Sequence, residues 1–194
     1  MKELCFTVYV IISDSKVRDM MTTFILIRHG EPRYDEVLSR GYKGMGYELG
    51  RLTDLGVSQA EERANDERLK NSQIIISSPY TRALQTAAII SRKTGVELMV
   101  ENDLHEWMPD MTQKYQLEPH TSFEEYIQYR GIPTDSRLYP WETYEHLQER
   151  VGKVLDRYQA YEKVIVVCHG VVISSQTHFD DIIEHCGVRI LVRS

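Results

Sequence analysis

The residues of this chain that could do chemistry stand at the ends of apolar runs. Phe24-Ile25-Leu26-Ile27 stops on Arg28-His29-Gly30-Glu31, and Val164-Ile165-Val166-Val167-Cys168 stops on His169-Gly170. A guanidinium recognises phosphate through a planar fork of donors, and an imidazole serves as nucleophile, acid or base near neutral pH. Two histidines delivered by strands that end at the same edge would converge on one small volume. A third run, Gln73-Ile74-Ile75-Ile76, leads into Ser77-Ser78-Pro79-Tyr80-Thr81-Arg82. Ser78 reads as a helix N-cap and Pro79 as the first helical residue, which puts Arg82 in or beside the first turn. Unpaired backbone N–H groups and the helix dipole favour an anion there. Alone, Arg-His-Gly is equally a polar strand end, and Arg82 a solvated helix arginine. The three segments together point to an anion pocket containing histidine.

The elements that must position these groups follow from the same runs. Four or more consecutive apolar residues rich in β-branching read as strands buried on both faces, the pattern of a parallel sheet. Ligands of open α/β sheets sit beyond the strand carboxyl ends, where these histidines fall. Strands are predicted at 22–28, 73–77, 96–100, 163–168 and 188–192. Thr53 is expected to cap a helix running to about Leu69. The helix after Pro79 packs Ala83, Leu84, Ala87, Ala88 and Ile90, and stops at Gly95 after Arg92 and Lys93. Leu147, Val151, Val154, Leu155 and Tyr158 recur at helical spacing, and residues 171–185 form the last predicted helix. Strand alternating with helix predicts a three-layer α/β/α sandwich with a mainly parallel central sheet. Gly30 is expected to let backbone approach a ligand closely. Gly41, Gly44, Gly46 and Gly50 match neither a phosphate loop nor a dinucleotide fingerprint and predict a flexible loop beside the site.

Five segments carry a family resemblance. They are Leu26-Ile27-Arg28-His29-Gly30-Glu31, Leu52-Thr53-Asp54-Leu55-Gly56-Val57-Ser58-Gln59-Ala60, Ser77-Ser78-Pro79-Tyr80-Thr81-Arg82-Ala83-Leu84-Gln85-Thr86-Ala87, Asp103-Leu104-His105-Glu106 and Val166-Val167-Cys168-His169-Gly170. In this order, over about residues 22 to 175, the chain resembles the histidine phosphatase superfamily, the phosphoglycerate-mutase-like enzymes. The resemblance implies that His29 is phosphorylated during turnover and that Glu106 is the proton donor. It implies that Arg28, Arg82 and His169 hold the phosphoryl group, with Gly170 beside them. It also implies one antiparallel strand in the sheet. The chemistry suits these roles, because phosphoryl transfer asks mainly for positioning and for neutralisation of charge on the equatorial oxygens. Two arginines supply that charge, so no metal or other cofactor is expected. Position alone would leave Glu106 a surface glutamate.

Composition narrows the alternatives. A chain of 194 residues with net charge −6 predicts one soluble domain with no general attraction to nucleic acid or an anionic membrane. The expected partner is a small phosphorylated substrate; composition does not fix an oligomeric state. Seven histidines form no HxH, HxxxH or HExxH pair, which argues against zinc. Three cysteines without CxxC predict a reduced, cytoplasmic protein. Cys168 is expected to pack inward as a small hydrophobe, because neighbours in a strand face opposite ways.

Residues 1–20 precede the first motif and read as an extension, an added edge strand or a mis-assigned start, leaving 21–194 as the domain. Within them Leu4–Ile12 is apolar but too short to span a membrane. After Glu106 the chain continues Trp107-Met108-Pro109-Asp110-Met111, unlike the family's usual pattern. The segment from Trp107 to Trp141, with Tyr115, Tyr126, Tyr129, Arg130 and Tyr139, is expected to cover the site, with Ser122–Tyr129 helical. The activity predicted is a metal-independent phosphatase acting on a phosphomonoester through His29. The alternatives are a phosphoglycerate-mutase-type phosphotransferase and a non-catalytic phospho-ligand-binding protein of the same fold.

Overall fold

Alternate residues of a strand face opposite sides of its sheet, and here both sides are apolar. In the computed structural model, which describes residues 21–112 and 119–194, β1 (Thr22–Arg28) and β4 (Lys163–Cys168) are paired in parallel at the centre of the sheet. Phe24, Leu26, Val164, Val166 and Cys168 pack on one face, and Ile25, Ile27, Ile165 and Val167 on the other. Adding β2 (Ile74–Ser77), β3 (Leu98–Val100) and β5 (Val188–Arg193) gives the order β3-β2-β4-β1-β5. All pairings are parallel except β1 with β5. That exception is the antiparallel strand the resemblance implied.

Helices close both faces. α5 (Tyr144–Asp156) lays Leu147, Val151, Val154 and Leu155 on the Phe24 side, joined there by Val172 and Ile173 of α6 (Gly170–Gln176). α3 (Thr81–Thr94) lays Ala83, Ala87 and Ile90 on the Ile25 side, with α2 (Asp54–Arg63) packed outside it. Each large aliphatic side chain so buried contributes on the order of 1.5–3 kcal/mol. Gly95 stops α3 with φ of 74°, as its sequence position predicts.

Several boundaries differ from expectation. α2 ends at Arg63, because Asp66 pairs with Arg63 and caps a separate 3-10 turn at Glu67–Leu69. α3 begins at Thr81 rather than at Pro79, since the Ser78 hydroxyl takes the Tyr80 N–H instead of a helical one. The last helix stops at Gln176, not 185. Beyond it the chain must return to the β1 edge, where Cys186 N–H donates to the carbonyls of Arg28 and His29. Asp181, held by Arg189 and Thr177, fixes that return.

Much of the 107–141 segment is built into the core. α4 (Pro119–Gln128) contains the predicted helix, but Tyr126 and Trp141 are buried in the core with Tyr129 and Tyr139 against them. Arg130 pairs with Asp180 and lies over Phe179. Aromatic area is worth more in the core than at a rim, and Glu125 secures it by accepting from Trp141 Nε1 at 2.8 Å and from Leu138 N at 2.7 Å. The expectations for residues 1–20 and for Tyr115 lie outside the described residues.

Candidate active site

The site follows from strand register. Arg28 lies opposite Cys168, and Ser77 opposite Val167, so the next residues, His29, His169 and Ser78, form one row along the carboxyl edge. Backbone bonds continue the ladder one step past the strands, from His29 N to the Cys168 carbonyl and from Ser78 N to the Val167 carbonyl, both at 3.0 Å. The His29 and His169 rings meet edge to face, with centroids 5.2 Å apart. Ser78, expected as a helix cap, lies 2.7 Å from His169 Nε2. Its oxygen also accepts from Tyr80 N–H. The other ring nitrogen of His169, Nδ1, is buried and has no hydrogen-bond partner among the described residues.

His29 is held with equal definition. Its Nδ1 lies 2.7 Å from the Gly30 carbonyl, which can only accept, so Nδ1 carries the proton. Its Nε2 faces Arg82 Nε at 3.2 Å and must therefore be a lone pair. Burial, together with the Arg82 and Arg28 charges, holds the imidazole well below the usual histidine range despite the Gly30 contact. A neutral ring whose Nε2 carries a lone pair rather than a proton is the form a nucleophile requires.

Arg82 occupies the first turn of α3, as expected, and is 5% exposed. Arg28 donates from Nη1 to the Ile183 carbonyl at 2.5 Å, while its buried Nε has no partner among the described residues. Gly170 opens α6 beside the Arg28 guanidinium. Glu106 lies beyond β3, within electrostatic reach of Arg82 and Arg28, and its carboxylate accepts the Trp107 N–H at 2.8 Å. Burial pushes its carboxyl upward; the Trp107 bond and the arginines oppose this without reversing it. The arrangement gathers Arg28, His29, Arg82, Glu106, His169 and Gly170 at one edge of the sheet. Cys168 points away into the core, with its thiol driven up by burial.

Gly30 meets another glycine of the chain. A side chain there would collide with the Gly56 carbonyl, and one on Gly56 with the Glu31 carbonyl. The glycine pair lets the start of α2 lie directly on the loop after β1, whose Glu31 N–H is held by Gln59 and whose Gly30 N–H is held by Thr86. The close approach is to the protein's own backbone.

A profile of the histidine phosphatase superfamily (branch 1) matches residues 24–178. The chain belongs to this superfamily. A Hydrogenobacter thermophilus protein that carries the provisional name phosphoserine phosphatase 2 is 30% identical over 158 residues, 77% of this chain and 74% of that one. Among solved structures, phosphoglycerate mutase from Bacillus anthracis superposes with a TM-score of 0.65 at 18% identity, covering 89% of this chain and 88% of that one. A mycobacterial glucosyl-3-phosphoglycerate phosphatase gives 0.60 at 20% identity, over 80% and 77%. At these identities the two structures establish the shared fold.

Within this histidine phosphatase fold, two groups escaped the sequence reading. Glu48, on the 3-10 turn Gly44–Leu49 that replaces the predicted glycine loop, forms an ion pair with Arg82. Glu142 and Arg150 form a buried pair that braces the Glu106 loop: Arg150 donates to the carbonyls of Asp103 and Glu106, and Glu142 accepts from Met108 N–H. Only the i to i+8 spacing of an acid and a base across a helix start hinted at the second. Nothing local announced the first. Among the described residues no cluster of His, Cys, Asp or Glu could hold a metal ion, and no helix is long and apolar enough to cross a membrane.

Proposed function

We propose that this protein is a metal-independent phosphatase that hydrolyses a small phosphomonoester through a phosphohistidine on His29. The observation that carries the reading is the tautomer of His29, with Nδ1–H tied to the Gly30 carbonyl and the Nε2 lone pair turned to Arg82 Nε–H. In the first step Nε2 attacks phosphorus in line and the ester P–O bond breaks. Glu106 delivers its proton to the leaving oxygen. The charge gained by the ring is met by the His29 Nδ1–H contact, and the equatorial oxygens are met by Arg28, Arg82 and His169. In the second step water attacks the phosphohistidine, Glu106 takes the water proton, and the P–N bond breaks to release inorganic phosphate. His29 returns neutral and Glu106 protonated, so the cycle closes.

The name of the Hydrogenobacter relative supports hydrolysis over phosphoryl transfer between positions of a glycerate. His29→Ala, assayed with EDTA present, should abolish turnover of phosphorylated sugars, amino acids and alkyl esters while leaving the circular dichroism spectrum unchanged. Activity that survives this substitution, or that EDTA removes from the natural protein, would overturn the mechanism.

A further inference from the structure

Arg82 is the group a phosphoryl oxygen would have to meet beside His29 Nε2, yet one of its outer nitrogens is engaged. Nη1 lies 2.5 Å from Glu48 Oε2, and the two side chains are 6% and 18% exposed. A carboxylate oxygen and a phosphoryl oxygen carry the same sign and seek the same guanidinium donor, so they exclude one another at this nitrogen. The segment carrying Glu48 is built to yield. Gly44–Leu49 contains no buried residue and is entered through Gly41 and Gly44, at φ of 68° and 56°. It rests on Tyr47 stacked against Tyr34, with ring centroids 4.3 Å apart, and on Met45 near the Tyr80 hydroxyl. A buried guanidinium stripped of its partner is costly, so exchange of one anion for another is far easier than loss of the first.

We propose that Glu48 is a displaceable counter-anion that sets the affinity of the pocket for phosphate. It holds Arg82 until a phosphoryl group takes its place, and it reclaims the guanidinium as inorganic phosphate leaves. The proposal rests on the phosphoryl reading of the site. Glu48 touches no reacting atom; it is a positioning residue whose charge weakens product binding and so limits product inhibition.

The test is direct titration of inorganic phosphate into the natural protein, Glu48→Gln, Glu48→Ala and Arg82→Ala, followed by calorimetry. Gln preserves the size of Glu48 and one hydrogen bond to Arg82, so it separates charge from shape. Both Glu48 variants should bind phosphate roughly tenfold more tightly, about 1.4 kcal/mol. Their inhibition by phosphate should strengthen in parallel, and Arg82→Ala should lose binding. If Arg82→Ala loses binding but both Glu48 variants bind no tighter than the natural protein, Glu48 is a brace and the proposal falls while the pocket stands. If Arg82→Ala binds phosphate as well as the natural protein, the phosphoryl reading falls and takes this proposal with it.

Discussion

Glu106 and Glu142 accept from neighbouring backbone N–H groups, those of Trp107 and Met108, and their surroundings drive them in opposite directions. The Glu106 carboxylate accepts one backbone N–H at 2.8 Å and, among the described residues, no arginine hydrogen bond, and burial pushes its pKa upward. Burial acts on Glu142 in the same sense, but both Arg150 hydrogen bonds, at 2.7 and 2.8 Å, outweigh it, with His146 adding a third contact. The Glu142 carboxyl is therefore held below the usual range. Two carboxylates that meet the same short stretch of backbone are thus shifted oppositely, Glu106 toward its acid form and Glu142 toward its anion. Burial alone does not choose between these fates; the number and charge of close donors do.

The comparison can be broken most severely at Glu106. Glu106→Gln keeps the shape and removes the proton, so an alkyl phosphate, whose alkoxide leaves poorly, should slow by about 10²–10⁴-fold. In phosphohistidine formation, followed in a single turnover, the nitrophenyl ester, whose phenolate leaves unaided, should slow far less; hydrolysis of the phosphohistidine, which also uses Glu106, is common to both esters. The acid works only when protonated, so phosphohistidine formation from the alkyl ester should slow as pH rises through the elevated carboxyl pKa. The variant should lack that limb, and equal slowing of this step for both esters would make Glu106 a positioning group instead.

Breaking the other half should strike stability. Glu142→Gln leaves Arg150 charged and buried without its counter-ion, which costs about 3–5 kcal/mol in comparable sites. Urea denaturation would measure it. The folded-state pKa of Glu142 is depressed, so its contribution is present above the ordinary glutamate value of about 4.3 and is lost as pH falls through the folded value. The stability gap between natural protein and variant should therefore be widest near neutral pH and narrow in acid. A gap independent of pH would mean that packing, not charge, is lost.

A third glutamate sharpens the contrast at the low end. Glu31 relies on a single hydroxyl, Thr53 Oγ1 at 2.6 Å, and the same oxygen caps α2 by accepting from Gly56 N–H. Thr53→Ala should cost about 1 kcal/mol, the worth of an N-cap, and shift the urea midpoint accordingly. A shift of several kcal/mol would show that the Gly30–Gly56 contact depends on this threonine too.

Much of this was legible in the sequence because the strands are buried on both faces. Ile25 and Leu26 must both be apolar when α3 lies on one side and α5 on the other, so strands and their ends could be read directly. The His-Gly endings then fell at the ligand edge by register. The predicted 171–185 helix overshoots because Cys186 is needed at the β1 edge, a long-range bond that no local pattern shows. Glu48 and the Glu142–Arg150 pair were not legible, because a carboxylate's partner lies tens of residues away and leaves no local period. The aromatic residues of the 107–141 segment were placed over the site by composition. The structure spends Tyr126 and Trp141 on the core.

The account stands most directly on His29 as the group that carries phosphate. Turnover of an alkyl phosphate by the natural protein, quenched within milliseconds under alkaline denaturing conditions and digested without acid, should yield one peptide heavier by a phosphoryl group. That group should lie on His29 and be lost on brief acid treatment. Glu106→Gln should accumulate less of it from the alkyl ester than from the nitrophenyl ester. A labelled residue other than His29, or single-turnover hydrolysis with no phosphopeptide at any time point, would contradict the mechanism.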